Sequence, residues 1–74
     1  MPKYHDQDII NSRVALINKA PQRAAIIEDL KSLKEEAAYE VSRINLYTAP
    51  EEIKRRKDSL AYYEDMLERL EVKE

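Results

Sequence analysis

The basic side chains of this sequence are its richest source of chemistry. Lys54, Arg55, Arg56 and Lys57 stand consecutively and make the chain's basic run. A run of this kind can grip phosphates. Consecutive helical residues point in different directions, and Arg56 falls within an apolar stripe. That leaves Lys54, Arg55 and Lys57 as the candidate anion or nucleic-acid contacts. The same residues also read as one solvated helical turn. From Thr48 onward acids outnumber bases by 8 to 6, whereas a nucleic-acid footprint is a broad basic face. A nucleic-acid accessory role is therefore the alternative reading and not the leading one.

Arg13 and Arg56 each interrupt an apolar face. One reading is an anion or ligand site between helices. The favoured one is a packed stem whose charged head reaches water or an edge acid such as Glu36 or Glu40. His5 with Asp6 and Asp8 has the right atoms for a metal, but one histidine near a chain end is a weak ligand set, and no metal site is assigned. There is no cysteine, so disulfides and thiolate sites are excluded. No serine sits in a nucleophile elbow, and a single histidine cannot complete a triad. An all-helical enzyme can build its site from Arg, Lys and Glu, so composition is silent on that class, and no motif of one matches these residues. The chain is read as non-enzymatic, with no catalytic or cofactor-binding residue and no cofactor.

Of the five tyrosines, Tyr63 reads as core. Tyr39 and Tyr47, with Leu46, fall off the main apolar stripe and are candidate protein contacts, for which aromatic residues are suited. Isolated exposed residues are the plainer reading.

The elements that position these groups are organised about the stretch Tyr47-Thr48-Ala49-Pro50-Glu51-Glu52. Thr48 can cap a helix, Pro50 suits a first helical turn, and Glu51 and Glu52 complement the positive end of the helix dipole. Ala49 precedes a proline and is pushed from the α region, so the upstream helix must end before it. A first helix is predicted over about 6–19, capped by Asp6 or Asp8. Its apolar face is Ile9, Ile10, Val14, Leu16, Ile17 and Ala20, and Pro21 stops it. A second is predicted over about 21–47, with an apolar stripe of Ile26, Ile27, Leu30, Leu33, Ala37, Ala38, Val41 and Ile44. A third is predicted over about 50–72. There Ile53, Leu60 and Leu67 repeat every seven, as do Arg56, Tyr63 and Leu70, a coiled-coil a/d pattern. Glu51–Arg55 and Asp65–Arg69 are i,i+4 pairs expected on its outer face.

Folding the second and third helices back on each other sets Ile53 by Ile44, Arg56 by Val41, Leu60 by Ala37, Tyr63 by Lys34, Leu67 by Leu30 and Leu70 by Ile27. Lys31 then flanks the seam beside Glu64. The other flank carries Ile26, Leu33, Tyr62 and Met66, an apolar groove that the first helix has a face to fill.

The fold class expected is all-α. It is a single helical domain over residues 1–74, three helices dominated by a long antiparallel, coiled-coil-like hairpin. At 74 residues the core is thin, and such chains often lean on a partner subunit. The apolar circumference of the second and third helices exceeds what one short helix can cover, so a homodimer is expected. The interface residues expected are Tyr39, Leu46, Tyr47, Leu33, Tyr62 and Met66. Charged residues make up 38% yet nearly cancel at a net −2, which suits neither a nucleic-acid nor an anionic-membrane binder. No apolar run approaches a membrane span of ~20 residues, and residues 1–6 lack a signal-peptide apolar region. A cytoplasmic, self-associating protein-interaction module of the adaptor, inhibitor or regulator type, with an unidentified protein partner, is the functional expectation.

Overall fold

The computed structural model describes residues 4–71. They form three α-helices, α1 (Gln7–Lys19), α2 (Arg23–Ser42) and α3 (Pro50–Glu71), and no strand occurs among the described residues. No described helix is long and apolar enough to cross a membrane.

α1 begins at Asp6, whose Oδ1 accepts the Ile9 N–H at 3.2 Å and satisfies a donor that the first turn leaves open. It ends at Ala20, held extended at φ −76° and ψ 139°, because the Pro21 ring crowds the α region of the residue before it. Pro21 and Gln22 form a turn, so α2 starts at Arg23 and not at Pro21. Arg23 fastens this corner. Its Nε donates to Asn18 Oδ1 at 2.8 Å, and its Nη2 donates to the Leu70 carbonyl at 2.6 Å. That carbonyl is one of the acceptors that the end of α3 leaves open.

α2 stops at Ser42, short of the expected end near residue 47. The last bonds tighten to i→i+3, with Arg43 N donating to Glu40 O at 3.2 Å and Ile44 N to Val41 O at 3.1 Å. Asn45 then takes the backbone over, since its short amide competes with helical bonding. Thr48 does not cap α3. Its hydroxyl faces back and accepts the Asn45 N–H at 3.0 Å, while Ala49 O accepts the first helical bond from Ile53 N at 2.9 Å. Pro50 is the first helical residue and Glu51 and Glu52 lie in the first turn, as the sequence predicts.

α2 packs most extensively on α3. Near the connection Arg56 Nη1 donates to Glu40 O at 3.0 Å. At the far end Lys31 Nζ lies 3.1 Å from Glu71 Oε2. Residue numbers rise along one helix as they fall along the other, so the two run in opposite directions. The Lys31 contact corrects the expected pairing with Glu64. Its ammonium sits by the last turn of α3, where the helix dipole favours a cation.

The core is Ile10, Ile27, Leu30, Met66, Leu67 and Leu70, with Val14, Ile17, Ile26, Tyr4, Tyr62 and Tyr63 packed around it. All three helices contribute, and burying each large side chain contributes about 1.5–3 kcal/mol. α1 fills the Ile26–Tyr62–Met66 groove. Met66 is 2% exposed and Tyr62 is half-buried, so neither is the free contact residue the sequence suggested. Leu33 remains 40% exposed at the rim. Away from α1 the packing thins. Val41, Ile44, Ile53 and Leu60 are half-buried, so Leu60 is not the core residue its heptad position implied.

A buried carboxylate fixes how α1 crosses α3. Asp65, expected on the outer face, is 2% exposed. It accepts from Tyr4 N at 3.3 Å and Gln7 Nε2 at 2.7 Å, and Arg69 Nε lies 3.3 Å away. Arg69 also donates to Gln7 Oε1 and Asn11 Oδ1, and Gln7 Nε2 to Tyr4 O at 2.8 Å. Burial pushes the Asp65 carboxyl up. The Gln7 amide, the Tyr4 N–H and the Arg69 charge outweigh it and hold the group below the usual value.

Candidate functional site

α1 is too short to cover α3. At about 1.5 Å per residue it extends roughly 20 Å against roughly 33 Å for α3, and it buries Ile10 at the Met66–Leu70 end. The first half of α3 is left open on one side. There Tyr4 and α1 face α3 across a cleft of about 570 Å³, within the range of small-molecule sites.

Helical spacing brings the lining together. On α1, Ile10, Val14 and Ile17 face inward, and Ile9, Arg13 and Leu16, four and three residues apart, form an exposed edge. Ile9 and Arg13 line the cleft. On α3, Glu51, Lys54 with Arg55, Asp58 and Tyr62 recur every three or four residues and supply the opposite wall. Tyrosines build one end. Tyr4 and Tyr62 meet edge-to-face at 5.1 Å, and Tyr62 and Tyr63 at 5.3 Å.

Most of the charges here are engaged. Lys54 Nζ lies 2.8 Å from Asp58 Oδ2. This hydrogen bond raises the lysine and holds the aspartate down. Arg55 forks onto both carboxylate oxygens of Glu52, and Arg56 Nε reaches Glu52 Oε2 at 2.9 Å. The Arg55 hydrogen bond, then that of Arg56, lowers the Glu52 carboxyl. Glu52 thus takes the role expected of Glu51. Arg56 behaves as a packed stem with its head on Glu52 and the Glu40 carbonyl. Arg13 differs. It makes no hydrogen bond or ion pair among the described residues, and neither does Lys57, which is exposed outside the cleft lining.

The other distinctive surface is the α2–α3 connection. Thr48 N donates to Asn45 O at 3.1 Å, Tyr47 N to Asn45 Oδ1 at 2.7 Å and Asn45 N to Thr48 Oγ1 at 3.0 Å. This closed turn presents its two central side chains outward: Leu46 is 97% and Tyr47 94% exposed. Tyr39, in the last turn of α2, is 60% exposed. Arg43 covers one side of it, 5.6 Å above the ring and donating to its hydroxyl at 2.8 Å. Ser32, Glu35, Glu36 and Glu40 line a shallow depression beside it.

The expected interface set is thereby divided. Tyr39, Leu46 and Tyr47 are exposed at the connection end, Leu33 is at a rim, Met66 is buried in the core, and Tyr62 is half-buried on the cleft wall. Lys54 and Arg55 share a cleft wall, and Lys57 stands apart. The Asx turn is the missed local signal: Asn45 three residues before Thr48 is a pattern that ends a helix. Asp6 is occupied as the α1 cap, and no group of three His, Asp or Glu among the described residues is arranged for a metal. Comparison with protein-family models, curated proteins and solved structures gave no match.

Proposed function

We propose that this chain is a non-enzymatic protein-interaction module that pairs with a second copy of itself, anchored by Leu46 and Tyr47. The observation that carries the reading is the near-complete exposure of these two large apolar side chains on a hydrogen-bonded turn. A fixed backbone lowers the ordering cost of docking, and tyrosine is favoured at binding hot spots. A turn needing only solubility would place polar residues there.

Area argues for more than the tip alone. An aromatic side chain buries about 150–250 Å², whereas a stable interface needs about 800 Å² per partner. A side-by-side arrangement of two α2–α3 hairpins with coiled-coil-like packing adds the rest. In it Tyr39 lies within the contact and the acids around it form a polar rim. The nucleic-acid alternative is less well supported, because Lys54 and Arg55 are held by Asp58 and Glu52.

Light scattering at micromolar concentration should give twice the chain mass. Leu46→Asp with Tyr47→Asp should return the mass to that of one chain while leaving the thermal midpoint of the monomer unchanged. A wild-type chain that stays single at high concentration removes the self-pairing reading.

A further inference from the structure

The cleft between α1 and the first half of α3 is unrelated to the turn and carries its own chemistry. It offers an aromatic end, Tyr4 against Tyr62 against Tyr63, and a lining guanidinium, Arg13, that is unpaired among the described residues. Its other two cations are spent on Asp58 and Glu52. No hydroxyl of Tyr4, Tyr62 or Tyr63 is a buried unpartnered atom, and none makes a hydrogen bond within the described residues, so all remain able to bond a guest.

We propose that this cleft binds a small aromatic carboxylate, its ring against Tyr4 and Tyr62 and its carboxylate on Arg13. The anion follows from the charge left over. A planar guanidinium without a partner matches a carboxylate through two parallel hydrogen bonds. The apolar body follows from the tyrosine edges and Ile9. A single negative charge, as opposed to a phosphate dianion, follows from Glu51, an acid on the α3 wall that no cation pairs among the described residues and that opposes further negative charge.

The test is a two-dimensional NMR titration of the full chain with 2-naphthoate, 2-naphthol and 2-naphthyl phosphate. 2-Naphthoate should shift amides of residues 51–63 and 4–13 and bind with a dissociation constant of about 1 mM or tighter, as fragment efficiencies give for its size. Neutral 2-naphthol should bind about tenfold more weakly, and Arg13→Gln should weaken 2-naphthoate by a similar factor. Arg13 is exposed, so the variant keeps its fold. Lys57→Gln, outside the cleft, should change nothing. The proposal is overturned if 2-naphthoate leaves the cleft amides unmoved, if Arg13→Gln binds it as wild type does, or if 2-naphthol binds equally well. Tighter binding of 2-naphthyl phosphate would also overturn it, since Lys54 and Arg55 would then have left their acids.

Discussion

Removing the Asp65 carboxylate should destabilise the chain far more than its charged character suggests. The group accepts from the Tyr4 backbone and the Gln7 amide and lies against Arg69, at 2.7–3.3 Å. Hydrogen bonds to a charged group contribute about 1.5–3 kcal/mol each. They do not add fully here, because Arg69 is 30% exposed and the freed donors regain some water. Asp65→Ala should therefore cost about 2–4 kcal/mol. At ~0.05–0.15 kcal/mol per residue the whole chain has only about 4–11 kcal/mol, so the variant should lose roughly 10–25 °C in thermal midpoint. Urea unfolding followed by helical circular dichroism measures the loss directly. The pH dependence gives a second reading. The folded carboxyl lies below its ordinary value, so the unfolded chain binds the proton more readily. The stabilisation is complete well above the unfolded value of about 3.9 and is lost as pH falls through the lower folded value. Wild type should lose stability over this acid range more steeply than Asp65→Asn, which keeps the shape and an acceptor oxygen without the charge. A cost for Asp65→Ala no greater than that of Glu68→Ala at an exposed site, or parallel acid limbs for wild type and Asp65→Asn, would refute this role for the carboxylate.

The uneven core makes two equivalent heptad leucines behave differently. Leu67→Ala should cost about 2–5 kcal/mol as a buried truncation, whereas Leu60→Ala, half-buried, should cost less than half as much in the same urea series; equal losses would contradict the core described. Asn45→Ala removes the side-chain acceptor for Tyr47 N and should cost about 0.5–2 kcal/mol, as the loss of a comparable side-chain-to-backbone cap does. It should also speed hydrogen exchange at Tyr47, and an unchanged Tyr47 exchange rate would show that the turn is not held by Asn45.

Much of the architecture was readable because its signals are local. Asp6, Pro21 and Pro50 act within a turn of themselves, and each sits at or beside a helix boundary. The apolar spacing of Ile27, Leu30, Leu67 and Leu70 needed only helical periodicity, and these residues meet in one cluster. The end of α2 was readable too, in Asn45 and Thr48, but helical periodicity through Ile44 masked it. The candidate sites were less legible. Tyr39, Leu46 and Tyr47 stood off the stripe and are exposed. Arg13, Lys54 and Arg55 could be named as cations but not placed in one cleft.

Three helices and their approximate limits come from the sequence alone, because capping, proline geometry and periodicity are set by neighbours along the chain. Left to the tertiary fold were the burial of Asp65, the place of Met66 in the core with Tyr62 packed beside it, the half-covering of Leu60 and the cleft beside Arg13. All four depend on where the short α1 crosses the longer α3. That crossing is chosen by contacts between residues some 60 positions apart, Tyr4 and Gln7 with Asp65 and Arg69, whose meeting no local spacing encodes.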